Sequence, residues 1–415
     1  MPGDAEMLDA VVIGAGQAGL GVSYFLARAG LRHRVLERGR IGESWRSQRW
    51  DGFRMNTINT QTVMPGQCYD GPSPEGFMSQ HGWVGLLEEF ATCNCLPVET
   101  GTPVAALSHA DDLPGTYHVT TPQGAFLARN VVIASGAHIR PHLPAAACGP
   151  SAGPVQIHSA DYRNPAAFPG GAVLVVGAGQ SGCQIAEELL DAGRRVYLST
   201  CRVGRLPRRY RGRDTIVWVH ESGIADTRPE DLADRSILTR GQPQIVAGHT
   251  LSLQSLSARG AVLLGRFRGT EGARLRFADD LAENIRFADQ ASEDMRRQID
   301  AYIARAGLEA PPAAPDPAEA VAPCLPAPPV LLFDLAEHGV STVVWCTGLD
   351  GDFSWVRLQG VLDAQGRPAH ERGVTACPGI YFTGLPWLSA RRSGLVTGVE
   401  HDAPRIAGLV AARCR

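Results

Sequence analysis

Short runs of apolar residues alternate along the chain with stretches in which apolar positions recur every three or four residues. Ala10–Ile13 and Ala172–Val176 are almost wholly apolar, as strands buried on both faces are. Each runs straight into a glycine cluster and then into an amphipathic stretch. Leu20, Tyr24, Phe25 and Leu26 mark the first of these, and Ile185, Leu189 and Leu190 the second. Both stop at Ala-Gly, residues 29–30 and 192–193, where glycine favours a helix end. A strand follows each time, Arg34-Val35-Leu36 and Val196-Tyr197-Leu198-Ser199. Two further apolar runs, Val131–Ile133 and Val343–Trp345, end in small residues, Ala134-Ser135-Gly136 and Cys346-Thr347-Gly348. A helix is predicted over Asp279–Tyr302, with Leu281, Ile285, Phe287, Met295 and Ile299 inward, and another from Leu395 onward. Between Pro311 and Pro329 the Pro/Ala-rich composition predicts an extended connector.

The glycine clusters carry the chemistry. The first reads Gly14-Ala15-Gly16-Gln17-Ala18-Gly19 and the second Gly177-Ala178-Gly179-Gln180-Ser181-Gly182. Strand, G-x-G-x-x-G, helix and second strand form the order that a dinucleotide site requires. The first glycine permits the tight turn, the second lets backbone approach a pyrophosphate, and the third lets helix pack on strand. The helix N-terminus supplies free N–H groups and a positive dipole end. Glu37 stands 18 residues past Gly19, placed for ribose hydroxyls, with Arg38 beside it. At the matching place in the second unit stands Thr200, and Arg202 follows in a run of six arginines ending at Arg213. A carboxylate there would repel a 2′-phosphate, whereas an arginine fork binds one. Arg202 with Ser199 therefore marks the second site as built for NADPH rather than NADH, and the other arginines read as solvated surface. A chain with one nicotinamide needs one such unit. Two imply FAD in the first and NADPH in the second.

Length and composition narrow the class. At roughly 150 residues per domain, 415 residues suit two or three domains. A formal net charge of −3 offers no basic field for nucleic acid or an anionic membrane. Lysine is absent, which excludes Schiff-base and pyridoxal chemistry and a Walker-type phosphate loop. The 10 cysteines include no C-x-x-C, so no zinc or other metal site and no dithiol is expected. An acidic start (Asp4, Glu6, Asp9) in place of a secretion signal points to an intracellular, cytoplasmic chain with reduced thiols. No apolar run approaches the 18 residues of a membrane span.

Taken together, the motifs resemble those of the flavin-containing monooxygenase family and its bacterial, YUCCA-like relatives, over nearly the whole chain. Gly42-Glu43-Ser44-Trp45-Arg46 resembles the family's G-x-x-W flavin contact. His158–Arg163 resembles the second half of its F-x-G-x-x-x-H-x-x-x-[YF] signature, and Gly379–Gly384 its last FAD motif. The resemblance implies an α/β fold of two Rossmann-like dinucleotide-binding domains, the FAD domain discontinuous around an inserted NADPH domain. The boundaries expected are 1–160 and 335–415 for FAD and 165–330 for NADPH, with a helical insertion at about 213–309. It implies that NADPH reduces FAD, that dioxygen then gives a 4a-hydroperoxyflavin, and that a small molecule is oxygenated. Arg54, Asn56 and Thr57 are the catalytic candidates it suggests, Asn56 to hold peroxide and nicotinamide amide at once. The plain alternative is a turn, and for Trp45 it is the core. His158 reads as structural. Leu395 and the residues before it would bring a helix N-terminus to the flavin. Trp218, His220 and His249 are candidates for the substrate pocket.

The chain departs from the family in three places. Ala152 and Pro154 replace the F-x-G half of the signature, Leu385 follows Gly384 where aspartate is usual, and Tyr162-Arg163 replaces the Baeyer–Villiger pattern. The last departure favours nitrogen or sulfur as the oxygenated atom over carbon. An oxygen-independent reductase would need Cys93 and Cys95 as its dithiol, and a nucleotide sensor would need only one glycine loop. A homodimer is the base-rate assembly.

Overall fold

The computed structural model describes residues 7–110, 112–144, 153–239, 241–272 and 274–415. Asp4, Glu6 and Ala152 lie outside them. The chain opens with strand β1 (Met7–Ile13), helix α1 (Gln17–Arg28) and strand β2 (His33–Leu36). β1 and β2 pair in parallel, with Val12 opposite Val35. Helices α2 (Glu43–Ser47) and α3 (Gln80–Cys93) lead to β3 (Val98–Glu99) on the far side of β2. The antiparallel strands β4 (Ala106–His109), β5 (Tyr117–Thr121) and β6 (Gly124–Ile133) follow, and β6 lies parallel to β1.

A short strand β7 (Arg140–Pro141) carries the chain out to a second sheet. There β8 (Val155–His158), β9 (Ala172–Val176), α4 (Gln180–Asp191) and β10 (Val196–Ser199) repeat the opening pattern. The hairpin β11 (Arg209–Tyr210) and β12 (Arg213–Asp214) precedes α5 (Thr215–Glu221), α6 (Leu253–Ala258) and β13 (Val262–Leu264). β14 (Phe267–Glu271) and β15 (Arg274–Phe277) come before α7 (Leu281–Ala306) and α8 (Pro317–Ala320), and β16 (Leu332–Asp334) completes their small antiparallel sheet. With β17 (Val340–Trp345) the second sheet reads β13-β10-β9-β17-β8, parallel throughout. β18 (Leu349–Asp350) then pairs antiparallel with β7, so the outgoing and incoming connections are zipped together. β19 (Ile380–Phe382) adds to β6 in the first sheet, and α9 (Val399–Cys414) packs on α1 where Gly21 leaves room for Val399.

All five strands of the second sheet are parallel, and β9 and β10 are buried along their whole length, as strands covered on both faces must be. Several expectations shift. β8 and β17 belong to the second sheet, so that domain begins near 155 and ends near 345, outside the expected 165–330. The stretch 213–309 is no single helical insertion, because β13 within it completes the second sheet. The predicted long helix is α7, starting at Leu281 and running on to Ala306. Within the connector, α8 is helical, with Asp316 accepting from the Ala318 N–H as its cap. The terminal helix starts at Val399, after a 3₁₀ turn over Val396–Gly398. Gly394 there takes φ 81°, and Gly398 lies hard against the Arg392 carbonyl.

Candidate functional site

The two glycine loops are near copies. Gly14 and Gly177 take φ 110° and 109°, a region that side chains rarely adopt. A Cβ at Gly14 would press on the Ala134 carbonyl, and one at Gly177 would collide with the Cys346 carbonyl. Ala134-Ser135-Gly136 and Cys346-Thr347-Gly348 thus close the backs of the two loops, since Ala134 N–H donates to Ile13 O (2.9 Å) and Cys346 N–H to Val176 O (2.8 Å). Gly19 and Gly182 sit hard against the carbonyl oxygens of Gly14 and Gly177, which fixes helix to strand. Gly16 and Gly179 differ from both: a Cβ there would meet nothing within 4 Å. Each is the N-cap of its helix, and neither helix has a side-chain cap. Two uncapped N-termini, each facing open space across a glycine, fit a pyrophosphate.

Around the first loop, Glu37 is buried at the end of β2, its carboxylate accepting from Ala15 N–H and Gly39 N–H, both 2.8 Å. Arg38 is exposed. Gly42, at φ 68°, caps α2 and donates its N–H to Ala15 O (3.0 Å), which places the part-buried Ser44 and Trp45 next to the loop. Trp45 Nε1 donates to Gln17 Oε1 (3.0 Å), and the ring meets Phe53 and Trp83 edge-on or tilted. Arg46 faces away: it pairs with Glu88 of α3 (2.5 Å) and bonds Ile41 O. Ser135 Oγ is buried beside Gly14 with no partner, an orphan that a ligand hydroxyl or phosphate would satisfy. Gly384 packs on Ala18 of the loop. Leu395 is 40% exposed in the turn before α9, and buried Asp402 of the first turn of α9 accepts from Ser389, taking up part of the positive end expected for a flavin.

The second loop shows an unforeseen contact. Asn56 Nδ2 donates to Gln180 Oε1 (3.1 Å), and Gln184 Nε2 donates back to Asn56 Oδ1 (3.3 Å). Asn56 thus joins the first domain to the N-terminal turn of α4. Gln184 was not foreseen, although its i,i+4 spacing from Gln180 puts both on one helix face. Thr57 turns inward to Thr62 (2.7 Å). Arg54 is exposed and lines a cleft with Trp50, Gln184, Glu188 and His249.

The expectations for the end of β10 divide. Ser199 is buried and gives its hydroxyl to Gly265 O (3.0 Å), so it is not turned to a phosphate. Arg202 is exposed on an ion pair with Glu283 (3.2 Å). Thr200 donates to Leu264 O (2.8 Å). Two of the arginines read as surface are buried: Arg205 between Asp289 and Glu319, and Arg208 on Asp214. Trp218 is core, its Nε1 bonded to Tyr210 O. His158 is neutral, lowered by burial: Nδ1 accepts from Ala160 N–H, so Nε2 donates to Gly348 O (2.9 Å) and ties the second crossing strand to β8. Cys93 and Cys95 are exposed at the end of α3, and burial pushes the Cys346 thiol up to about 12, so no reactive thiol stands at either loop.

Comparison with known proteins agrees with this geometry. The family model described as pyridine nucleotide-disulphide oxidoreductase matches residues 11–212. An uncharacterised CzcO-like oxidoreductase of Geobacillus kaustophilus is 30% identical over 401 residues, covering 96% of this chain and 97% of its own. Indole-3-pyruvate monooxygenase YUCCA1 of rice is 26% identical over 72% of this chain and 76% of its own. Among solved structures, a two-site variant of a flavin monooxygenase from Stenotrophomonas maltophilia aligns with TM-score 0.66 at 20% identity, over 99% of this chain and 100% of that one. No described helix is long and apolar enough to cross a membrane.

Proposed function

The chain belongs to the family of the CzcO-like oxidoreductases, and we propose that it is a flavin-containing monooxygenase, an FAD- and NADPH-dependent enzyme that oxygenates a small molecule at nitrogen or sulfur. The observation that carries the reading is the pair of open, uncapped glycine cradles joined through Asn56. FAD fits the first, where Gly16 and the α1 N-terminus would hold its pyrophosphate, Glu37 its ribose and Ser135 a further oxygen. NADPH fits the second, with Gly179 and α4 at the pyrophosphate. When bound, the two supply hydride and oxygen chemistry that no side chain can.

The protein's own residues hold and orient. Asn56 is fixed at the second loop with both a donor and an acceptor atom in play, the property needed to exchange Gln180 and Gln184 for a nicotinamide amide. Trp45 anchors the G-x-x-W turn on Gln17, keeping α2 against the first cradle. The zipped β7 and β18 connections limit how far the domains part, which favours a closed, dry interface. Substrate would enter by the cleft of Arg54, Trp50 and Gln184, which runs along α4 from Asn56.

The test is stoichiometric. FAD-loaded protein should be bleached by NADPH without oxygen, and on aeration with an amine or thioether should consume one NADPH and one dioxygen per oxygenated product. No bleaching by NADPH would sink the assignment of the second loop. Bleaching with peroxide as the sole product of every substrate would leave an oxidase. The coenzyme preference has its own check. Arg202→Ala is expected to raise KM for NADPH about tenfold, the loss of one charge-assisted bond, and to leave NADH use unchanged. Ser199→Ala should leave both unchanged, because its hydroxyl is engaged by Gly265. Equal KM values in Arg202→Ala and parent would move the 2′-phosphate elsewhere.

A further inference from the structure

Arg208 is 2% exposed, the only charged group among the largest fully buried side chains described. Its contacts come from both domains. One terminal guanidinium nitrogen donates to the backbone carbonyls of Asn56 and Val246, each at 3.0 Å, and the other terminal nitrogen to Asp214 Oδ1 at 2.5 Å. The cation also lies over the Phe77 ring, 5.1 Å from its centre. The Arg208 N–H donates to Thr250 Oγ1 (2.8 Å), and Asp214 is itself held as the N-cap of α5 by Ile216 N–H (2.8 Å). Asn56 and Phe77 belong to the first domain, and Val246 and Asp214 to the second. A desolvated cation is costly unless it is paired, and the two terminal nitrogens find their partners only where both domains meet, while Nε is left without one.

The Asn56 side chain sits on Gln180 and Gln184 while Arg208 grips the carbonyl of the same residue. Were the 56–57 peptide free to turn, the amide would swing off α4. We propose that Arg208 is a positioning residue, reaching from the second domain to fix the Asn56 peptide so that its amide stays on the second glycine loop. The inference rests on the reading that Asn56 works at the nucleotide site.

Two variants of the full, FAD-loaded chain test it. Arg208→Lys keeps the charge but loses the fork that reaches Asn56 and Asp214 at once. The pair Arg208→Gln with Asp214→Asn removes both charges together and leaves an Asn cap on α5. Both should retain FAD. Hydrogen exchange of the peptide 54–58 should rise about tenfold, the scale of one charge-assisted bond, while exchange in the two glycine loops stays at the parental rate. In turnover, KM for NADPH and the share of NADPH lost to peroxide should both rise, and adding Asn56→Ala should raise them no further. Unchanged exchange at 54–58 would overturn the proposal, as would effects of Arg208→Lys and Asn56→Ala that simply add. If the parent fails to oxidise NADPH, the functional reading falls, and exchange at 54–58 alone decides whether Arg208 positions Asn56.

Discussion

Gly179→Ala is expected to fold like the parent and to bind NADP⁺ at least tenfold more weakly, whereas Gly182→Ala is expected to cost the second domain its stability. The two glycines stand three residues apart in one loop, and helix propensity favours alanine at Gly182 but not at Gly179, the N-cap, where glycine is the better residue. At Gly179 the backbone is extended (φ −74°, ψ −168°), which any residue adopts, and a methyl would meet nothing within 4 Å. The chain would scarcely register it, but the methyl would occupy the space through which a pyrophosphate reaches the α4 N-terminus. At Gly182 the methyl would collide with the Gly177 carbonyl oxygen, a backbone atom that cannot rotate away. Prising helix from strand there should cost about 1–3 kcal/mol, more than the helical gain of up to about 1 kcal/mol. Thermal unfolding and NADP⁺ titration separate the cases. Gly16→Ala and Gly19→Ala should divide in the same way for retained FAD. Parental NADP⁺ affinity in Gly179→Ala would show that no dinucleotide lies on this loop.

That contrast also marks what was legible in the chain. The glycine loops could be read because their demands are local: a positive φ, a bare approach and a tight helix contact, all within six residues. Which sheet a strand joins is not local. The apolar run Val343–Trp345 announced burial, but its pairing with β9 and β8 depends on residues far away in the chain, so the domain boundary was set too early. The arginine run failed for the same reason. Nothing in Arg205 or Arg208 distinguishes them from exposed Arg202, because their burial is decided by partners such as Glu319 and Asn56, 114 and 152 positions away. The hairpin that returns Asp214 toward Arg208 over Gly212 was the one nearby clue. Asn56 was readable as a polar group in the right neighbourhood, though not as the link to Gln180. Ser199 was misread because a hydroxyl at a strand end is free only if no neighbouring backbone claims it, and Gly265 does.

Mild acid should weaken this fold. His33, His138, His158, His220 and His370 all have their pKa lowered, in each case first by burial. His220 goes furthest, to about 4, with the nearby Arg392 adding repulsion and Asp226 opposing it. An unfolded imidazole takes its proton near pH 6.5, before the folded one does, so protons favour the unfolded chain. The stability contributed is full above about pH 6.5 and is lost progressively as pH falls towards 4. For His220 alone, a shift from 6.5 to about 4 corresponds to about 3 kcal/mol, an upper value for a group that retains some exposure. His249 acts in the opposite sense, raised by its bond to Glu187, but it offsets only one of five. Urea unfolding at pH 7.5, 6.0 and 5.0 should therefore show a steep fall in the parent and a shallower one in His220→Gln. The effect bears on the site, because α5 carries His220 close to Arg392, and the segment Ile224–Asp226 docks on the return loop through Arg392 N–H to Ala225 O (3.0 Å) and the Arg392–Asp226 ion pair (2.5 Å). In the folded chain His220 takes its proton only near pH 4, where it places a second positive charge against Arg392 at that contact, so loss of bound FAD should accompany the last part of the acid transition. Parallel slopes in parent and His220→Gln would remove His220 from the account and leave the other four histidines to carry it.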